Sequence, residues 1–224
     1  MKAIILAGGF GTRLQSVVKD VPKPMAEINK KPFLEYILEK LNSAKVDEVV
    51  LCVGYKQDII KNYFKDRYKD MHIRYSSEDI PLGTGGAIKK ALSLFENNEN
   101  ILVLNGDTFY DLDIENFYKK SMKNTLSISL KPMNNFDRYG SVNVDENSVT
   151  SFKEKTFVED GLINAGVYFM KKGILEAVEE KVFSFESFLQ EQKKINYYIE
   201  DSYFVDIGIP QDYKKAQIDF KELF

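Results

Sequence analysis

The sequence predicts an α/β fold: a mixed, mostly parallel sheet with helices on both faces and antiparallel additions. Three observations predict it. Short apolar runs alternate with helix-period patterns through the first half. The first of those runs empties into three closely spaced glycines, and after Asp113 the rhythm changes to strict two-residue alternation.

The first-half strands are expected at 2–7, 48–53, 71–76 and 100–105. Between them Pro32 opens a helix with Phe33, Leu34, Ile37, Leu38 and Leu41 on one face. Ile59, Ile60, Tyr63 and Phe64 mark a second helix, and Ala87, Ile88, Ala91, Leu92 and Phe95 a third. Strands that alternate with helices in this way pair in parallel, with the helices packed on the sheet faces. Ligands of such sheets gather at the carboxyl ends of the strands. Gly8 to Arg13 follow the first strand and Asn105-Gly106-Asp107 end the fourth, so both reach the same edge.

After Asp113, Thr125–Leu130 and Ser141–Val144 alternate, and 149–153 and 162–170 also read as strands. They suggest antiparallel additions to the same sheet. Helical patterns return near 171–180, 185–193 and 210–220. With no linker, low-complexity tract or internal repeat, 1–224 reads as one domain, with halves at 1–112 and 113–224. The lack of a hexapeptide repeat argues against an appended left-handed β-helix.

Composition excludes several classes of function. Formal net charge is −3, from 31 Lys and Arg against 34 Asp and Glu, so nothing advertises nucleic acid or an anionic membrane. One His and one Cys cannot build a Cys/His zinc site, and Cys52 has no disulfide partner in the chain. His72 and Cys52 are read as structural. A metal here must be hard and oxygen-bound, which points to Mg2+. No apolar run nears the ~20 residues of a membrane helix, and no leader pattern is seen, so a cytoplasmic location is expected. The chain can act alone or as a homo-oligomer, and the sequence places no interface.

The motifs with chemistry begin at Gly8-Gly9-Phe10-Gly11-Thr12-Arg13-Leu14, followed by Val21-Pro22-Lys23-Pro24-Met25. Glycine lets backbone N–H groups approach a phosphate closely, and Arg13 and Lys23 add full positive charge. No Gly-Lys-Ser/Thr follows, and Leu14 stands where a dinucleotide fingerprint needs its third glycine, so neither standard loop is present. A bare strand–helix turn would leave Arg13 unexplained. Leu82-Gly83-Thr84-Gly85-Gly86-Ala87 is a second glycine cluster that on its own reads equally well as tight packing at a helix start. Asn105-Gly106-Asp107-Thr108 places a carboxylate at a strand end, where it needs a cation or a cap to serve. Val205-Asp206-Ile207-Gly208-Ile209-Pro210 repeats that design.

The stretch from Leu6 to Leu14 together with Pro22-Lys23-Pro24-Met25 resembles the signature of the sugar-1-phosphate nucleotidyltransferases. The resemblance covers nearly the whole chain and implies a Rossmann-like, glycosyltransferase-A-like fold. It implies a nucleotide-binding half (1–112) and a sugar-binding half (113–224). On it, Leu6, Gly8, Gly9, Gly11 and Thr12 bracket a nucleoside triphosphate, with Gly83, Thr84 and Gly85 at the base and ribose. Arg13 grips the β- and γ-phosphates and Lys23 the α-phosphate, as the catalytic pair. Asp107 and Asp206 hold Mg2+. Asn105, Gly140, Glu154, Lys155 and Asn164 serve the sugar phosphate, Glu154 and Lys155 through Ser151-Phe152-Lys153-Glu154-Lys155 and Asn164 through Ile163-Asn164-Ala165-Gly166.

Gln15-Ser16-Val17-Val18 departs from the commonest signature, which has Pro-Leu-Thr after the leucine. This variant is similar to the branch acting on heptose 1-phosphates. It implies GTP and D-glycero-α-D-manno-heptose 1-phosphate, giving a GDP-heptose for surface polysaccharide. Mannose or another hexose 1-phosphate with GTP, UTP or CTP is the alternative within the family. A catalytically silent nucleotide-sugar-binding regulator is the alternative outside it. The presence of Arg13, Lys23, Asp107 and Asp206 argues against that silent protein.

Overall fold

The computed structural model describes residues 1–9, 11–14, 16–96 and 99–224, with only the backbone of Thr12. Phe10 and Gln15, which belong to the first motif and its variant continuation, lie outside the described residues.

In chain order, β1 is Lys2–Leu6, followed by short 3-10 turns at Thr12–Leu14 and Lys23–Met25. A small hairpin, β2 (Glu27–Ile28) and β3 (Lys31–Pro32), leads into α1 (Phe33–Ser43). Then come β4 (Glu48–Val53), α2 (Gln57–Phe64), β5 (Arg67–Tyr68), β6 (Met71–Ser77), α3 (Gly83–Leu92) and β7 (Asn100–Asn105). The second half holds β8 (Thr108–Tyr110), α4 (Ile114–Ser121), β9 (Leu126–Phe136), β10 (Gly140–Val144), β11 (Val149–Lys155) and β12 (Val158–Lys171). A 3-10 turn (Lys172–Leu175), α5 (Phe185–Glu191), β13 (Asn196–Ile199), β14 (Phe204–Asp206) and α6 (Pro210–Leu223) complete the chain.

Ten of these strands form one sheet among the described residues, with the order β11-β10-β12-β7-β1-β4-β6-β5. The central pairs β7·β1, β1·β4 and β4·β6 are parallel. β12 joins antiparallel to β7 and carries β9 on its length, and β13 pairs parallel to β9. The mostly parallel sheet with antiparallel additions is thus observed as expected.

Alternation along the strands divides the core into two layers. Ala3 and Ile5 of β1 face a cluster built from α1, α2, α4 and α6, including Phe33, Leu38, Ile60, Phe117 and Phe220. Ile4 faces the opposite cluster, built from α3 and α5 with Ile88, Leu92, Phe185 and Leu189. Burying each such Leu, Ile or Phe side chain contributes about 1.5–3 kcal/mol, so helices on both faces are what the central strands require.

Three local outcomes differ from the sequence reading. The helical spacing near 171–180 yields only the turn Lys172–Leu175, because the sheet holds the chain through Lys171 N–H on the Thr125 carbonyl (3.0 Å). α4 was not anticipated; its short amphipathic segment starts where Asp113 accepts the Asn116 N–H at 3.0 Å, an N-cap that fixes the first turn. The β2–β3 hairpin and β13 are too short for a periodic signal.

Candidate active site

A cavity of about 810 Å³ opens at the carboxyl ends of the parallel strands. Leu6, Gly8, Gly9, Gly11 and Arg13 line it from β1, Asn105 and Asp107 from β7, and Gly83 and Thr84 from the start of α3. Gly11 has φ +59°, and a Cβ there would stand 2.8 Å from Lys23 Cβ, so only glycine lets the loop close on Lys23. A Cβ on Gly9 would meet nothing within 4 Å. No protein neighbour explains glycine at that position, which leaves close approach of a ligand. Arg13 is exposed at the cavity wall with no recorded ion pair among the described residues.

Lys23 projects from the 3-10 turn that follows the extended Pro22 (φ −65°, ψ 150°). Its side chain is 10% exposed, with Nζ 2.6 Å from Asp107 Oδ2 and 3.4 Å from Asp206 Oδ1. Two strand ends bring these carboxylates together. Asp107 follows β7, and β14 pairs antiparallel with β8 so that Asp206 stands opposite Thr108. The Ile207 N–H donates to the Asp107 carbonyl at 3.0 Å, and Gly208 N–H to Asp206 Oδ1 at 2.6 Å. Burial pushes the Asp206 carboxyl above its usual range and the Asp107 charge adds to this, while Lys23 and the Gly208 N–H act against them.

Two carboxylates converging on one ammonium form a place built for positive charge. Their oxygen donors suit a hard divalent cation. Among the described residues no third acidic, His or Cys side chain joins them. A pair of protein carboxylates completed by substrate phosphates and water is how Mg2+ is commonly held, so the residues fit that ion.

The second glycine cluster serves both of its readings. Gly83 lines the cavity, has φ +72°, and would place a Cβ 2.5 Å from the Phe183 carbonyl oxygen. A Cβ on Gly85 would stand 2.2 Å from the Phe183 ring. The Phe183 carbonyl accepts the Gly85 N–H at 3.0 Å, so this early α3 donor is already paired. Thr84 Oγ1 donates to Glu186 at 2.8 Å and accepts the Phe185 N–H at 2.8 Å.

On the sugar side, Asn105 lines the cavity. Behind it β12 bulges between Asn164 and Tyr168, and Gly166 (φ +74°) would place a Cβ 2.7 Å from Asn105 Nδ2. Asn164 shapes this bulge: its Oδ1 accepts the Gly166 N–H at 3.0 Å and its Nδ2 donates to Tyr168 Oη at 2.8 Å. The structure places Gly140, Glu154 and Lys155 on β10 and β11, away from the cavity wall, with Gly140 opposite Lys155. Gly140 is tightly packed, since a Cβ would stand 2.5 Å from the Lys153 carbonyl oxygen.

Gly54, Tyr55, Gln57, Glu78, Asp79 and Glu186 also line the cavity, and the sequence reading did not single them out. Gly54 and Glu78 directly follow β4 and β6, so the same strand-end rule applied to all four parallel strands finds them. Cys52 lines the cavity as well, but it is buried and its thiol is pushed far up by desolvation, in keeping with a structural role.

Residues 2–222 match the nucleotidyl transferase family. The chain is 53% identical over 219 residues to D-glycero-alpha-D-manno-heptose 1-phosphate guanylyltransferase of Campylobacter jejuni, covering 95% of this chain and 97% of that one. It is 49% identical over 225 residues to the protein of the same name from Aneurinibacillus thermoaerophilus, covering 97% of each. The crystal structure of HddC from Yersinia pseudotuberculosis complexed with GMP-PN has a TM-score of 0.89 at 41% identity, over 98% of this chain and 99% of that one. UTP-bound UGPase from Acinetobacter baumannii, at 19% identity, shares the fold with a TM-score of 0.82 over 100% of this chain and 94% of that one. The glycine loop, the paired carboxylates and the Rossmann-like sheet agree with that end-to-end match, and the chain belongs to the nucleotidyl transferase family.

Proposed function

We propose that this protein transfers the guanylyl group of GTP to D-glycero-α-D-manno-heptose 1-phosphate. The products are GDP-heptose, a precursor for surface polysaccharide, and pyrophosphate. The observation that carries the reading is the meeting of Lys23, Asp107 and Asp206 at the rim of the cavity that the first glycine loop lines. The relatives at 53% and 49% identity support the substrate pair.

A phosphate oxygen of the sugar 1-phosphate attacks the α-phosphorus in line. The bond from the α-phosphorus to its bridging oxygen breaks, and the electron pair leaves with pyrophosphate. A sugar phosphate is already anionic near neutral pH, so the site needs no general base. It needs positioning and charge neutralisation. Arg13 meets the departing pyrophosphate, and Lys23 turns its ammonium to the α-phosphate. Gly8, Gly9 and Gly11 present backbone N–H groups to the triphosphate. Asp107 and Asp206 hold Mg2+, whose positive charge the triphosphate needs there. Asn105, fixed by the β12 bulge, is assigned to the sugar phosphate; the roles of Gly140, Glu154, Lys155 and Asn164 in binding it belong to the same proposal.

The test is pyrophosphate release with Mg2+, crossing GTP, ATP, CTP, UTP and dTTP with heptose, mannose, glucose and N-acetylhexosamine 1-phosphates. Release confined to GTP with the heptose phosphate is expected. Release with another pair would overturn the substrates and keep the reaction. Binding of nucleotide with no release from any pair would overturn the reaction and favour the silent regulator.

A further inference from the structure

The cavity carries carboxylates in two different settings. Asp107 stands beside Lys23, in the part suited to phosphates and a metal. Glu78 stands at the end of β6, with no ion pair recorded among the described residues. Its backbone is fixed by its N–H on the Val53 carbonyl (2.8 Å), and its Oε2 accepts the Leu82 N–H at 2.9 Å. Its Oε1 lies 3.4 Å from where a Cβ on Gly8 would be, and the Gly54 nitrogen lies 3.3 Å from that same point. Gly8 and Gly54 carry no side chains, so the space in front of this clamped carboxylate is free for a flat ring.

We infer that Glu78 selects the base, accepting hydrogen bonds from N1–H and the 2-amino group of guanine. This rests on the guanylyl-transfer reading and deepens it. A triphosphate is repelled by an unpaired carboxylate, so the end of the nucleotide that meets Glu78 is the base. On the Watson–Crick edge guanine alone offers two adjacent donors. Uracil and thymine offer one donor between two acceptors, cytosine one donor beside two acceptors, and adenine one donor beside one acceptor. A fixed carboxylate accepts both guanine donors as charge-assisted bonds and sets its charge against the carbonyl oxygen of a misplaced pyrimidine. The Leu82 N–H holds the acceptor in place before the base arrives, so the base does not have to order it.

Equilibrium titration of the protein with nucleotides, in Mg2+ and without sugar phosphate, tests this directly. ITP lacks only the 2-amino group, and it is expected to bind wild-type protein roughly 10- to 100-fold more weakly than GTP. Glu78→Gln keeps the side-chain volume and an acceptor for Leu82 N–H, so the melting temperature and the KM for sugar phosphate stay near wild type. The variant is expected to bring the GTP to ITP ratio close to one and to bind UTP better relative to GTP. A wild-type protein that binds GTP and ITP equally would overturn the assignment, as would a Glu78→Gln protein with the wild-type ratio. The two readings fail separately: guanine selection lost on Glu78→Gln, with no guanylyl transfer by wild type, would support Glu78 and overturn the reaction.

Discussion

Lys23 and Asp206 meet at 3.4 Å across 183 positions of chain. Asp107 completes the group, 2.6 Å from the same ammonium. The lysine assigned to the α-phosphate thus neutralises the carboxylates assigned to the metal when neither substrate nor metal is bound.

Replacing Lys23 with Met removes the cation and leaves the two carboxylates facing each other. The expected loss of turnover is about 100-fold or more, since a charge aimed at the reacting phosphate is gone. Stability is expected to fall by about 1–3 kcal/mol, the cost of an unsatisfied charged group that is only partly buried. Urea unfolding measures the second effect. Adding a divalent cation, which binds the folded state, is expected to restore stability but not turnover.

Arg13 is exposed, with no recorded partner in the fold. Arg13→Ala is therefore expected to unfold within roughly 0.5 kcal/mol of wild type while losing about 100- to 1000-fold in kcat/KM. Parallel urea titration and pyrophosphate-release kinetics check both halves. Wild-type turnover would remove Arg13 from the mechanism.

Two glycines give opposite outcomes when replaced by Ala. At Gly208 the new Cβ would stand 2.8 Å from Asp206 Oδ1 and 3.2 Å from Lys23 Nζ. That displacement of the ion pair is expected to cost roughly 10- to 100-fold in kcat, because small misplacements at a reacting centre are costly. At Gly9 the Cβ enters open space. Gly9→Ala is expected to leave the melting temperature unchanged and to weaken GTP binding, which calorimetry in the presence of Mg2+ would read.

Glu48 provides a pH-dependent part of the stability. Burial works to raise its carboxyl, but bonds from Arg74 (2.7 Å) and Lys2 (3.3 Å) outweigh this and leave it below the usual carboxylate range. A carboxyl with a depressed folded-state pKa contributes stability above the unfolded pKa and loses it as pH falls through the folded one. Glu48→Gln is expected to cost about 1 kcal/mol or less near pH 7, because Arg74 is 45% exposed and the pair is screened. The wild-type and variant stability curves are expected to converge between about pH 5 and 3, as urea titrations at each pH would show.

Features carried by one segment were legible in the sequence. The glycine loop before Arg13, the strand-end Asp107 and the strand–carboxylate–glycine pattern at Asp206 can all be read without knowing what lies beside them. What joins them could not. The Lys23 contact with both carboxylates depends on β14 pairing with β8, two three-residue strands with no periodic signal of their own. Asn164 has the look of a ligand residue, yet its amide bonds within the β12 bulge, which is set by register against β9. The 171–180 segment misled for a related reason: a sheet bond at Lys171 overrides the helical spacing that follows it.

The contact between the α3 glycines and Phe183 bears on how this fold can be cut. The Gly85 N–H ends on the Phe183 carbonyl, and the Phe183 N–H on the Leu82 carbonyl, so the turn is laced to a strap from the other half of the chain. A fragment ending at residue 112 would lose that strap, and bare backbone donors and a vacated aromatic socket would open beside the nucleotide cavity. The first half is therefore not a transplantable nucleotide-binding cassette. Grafts or chimaeras that keep its glycine motifs need the stretch around Phe183 to travel with them.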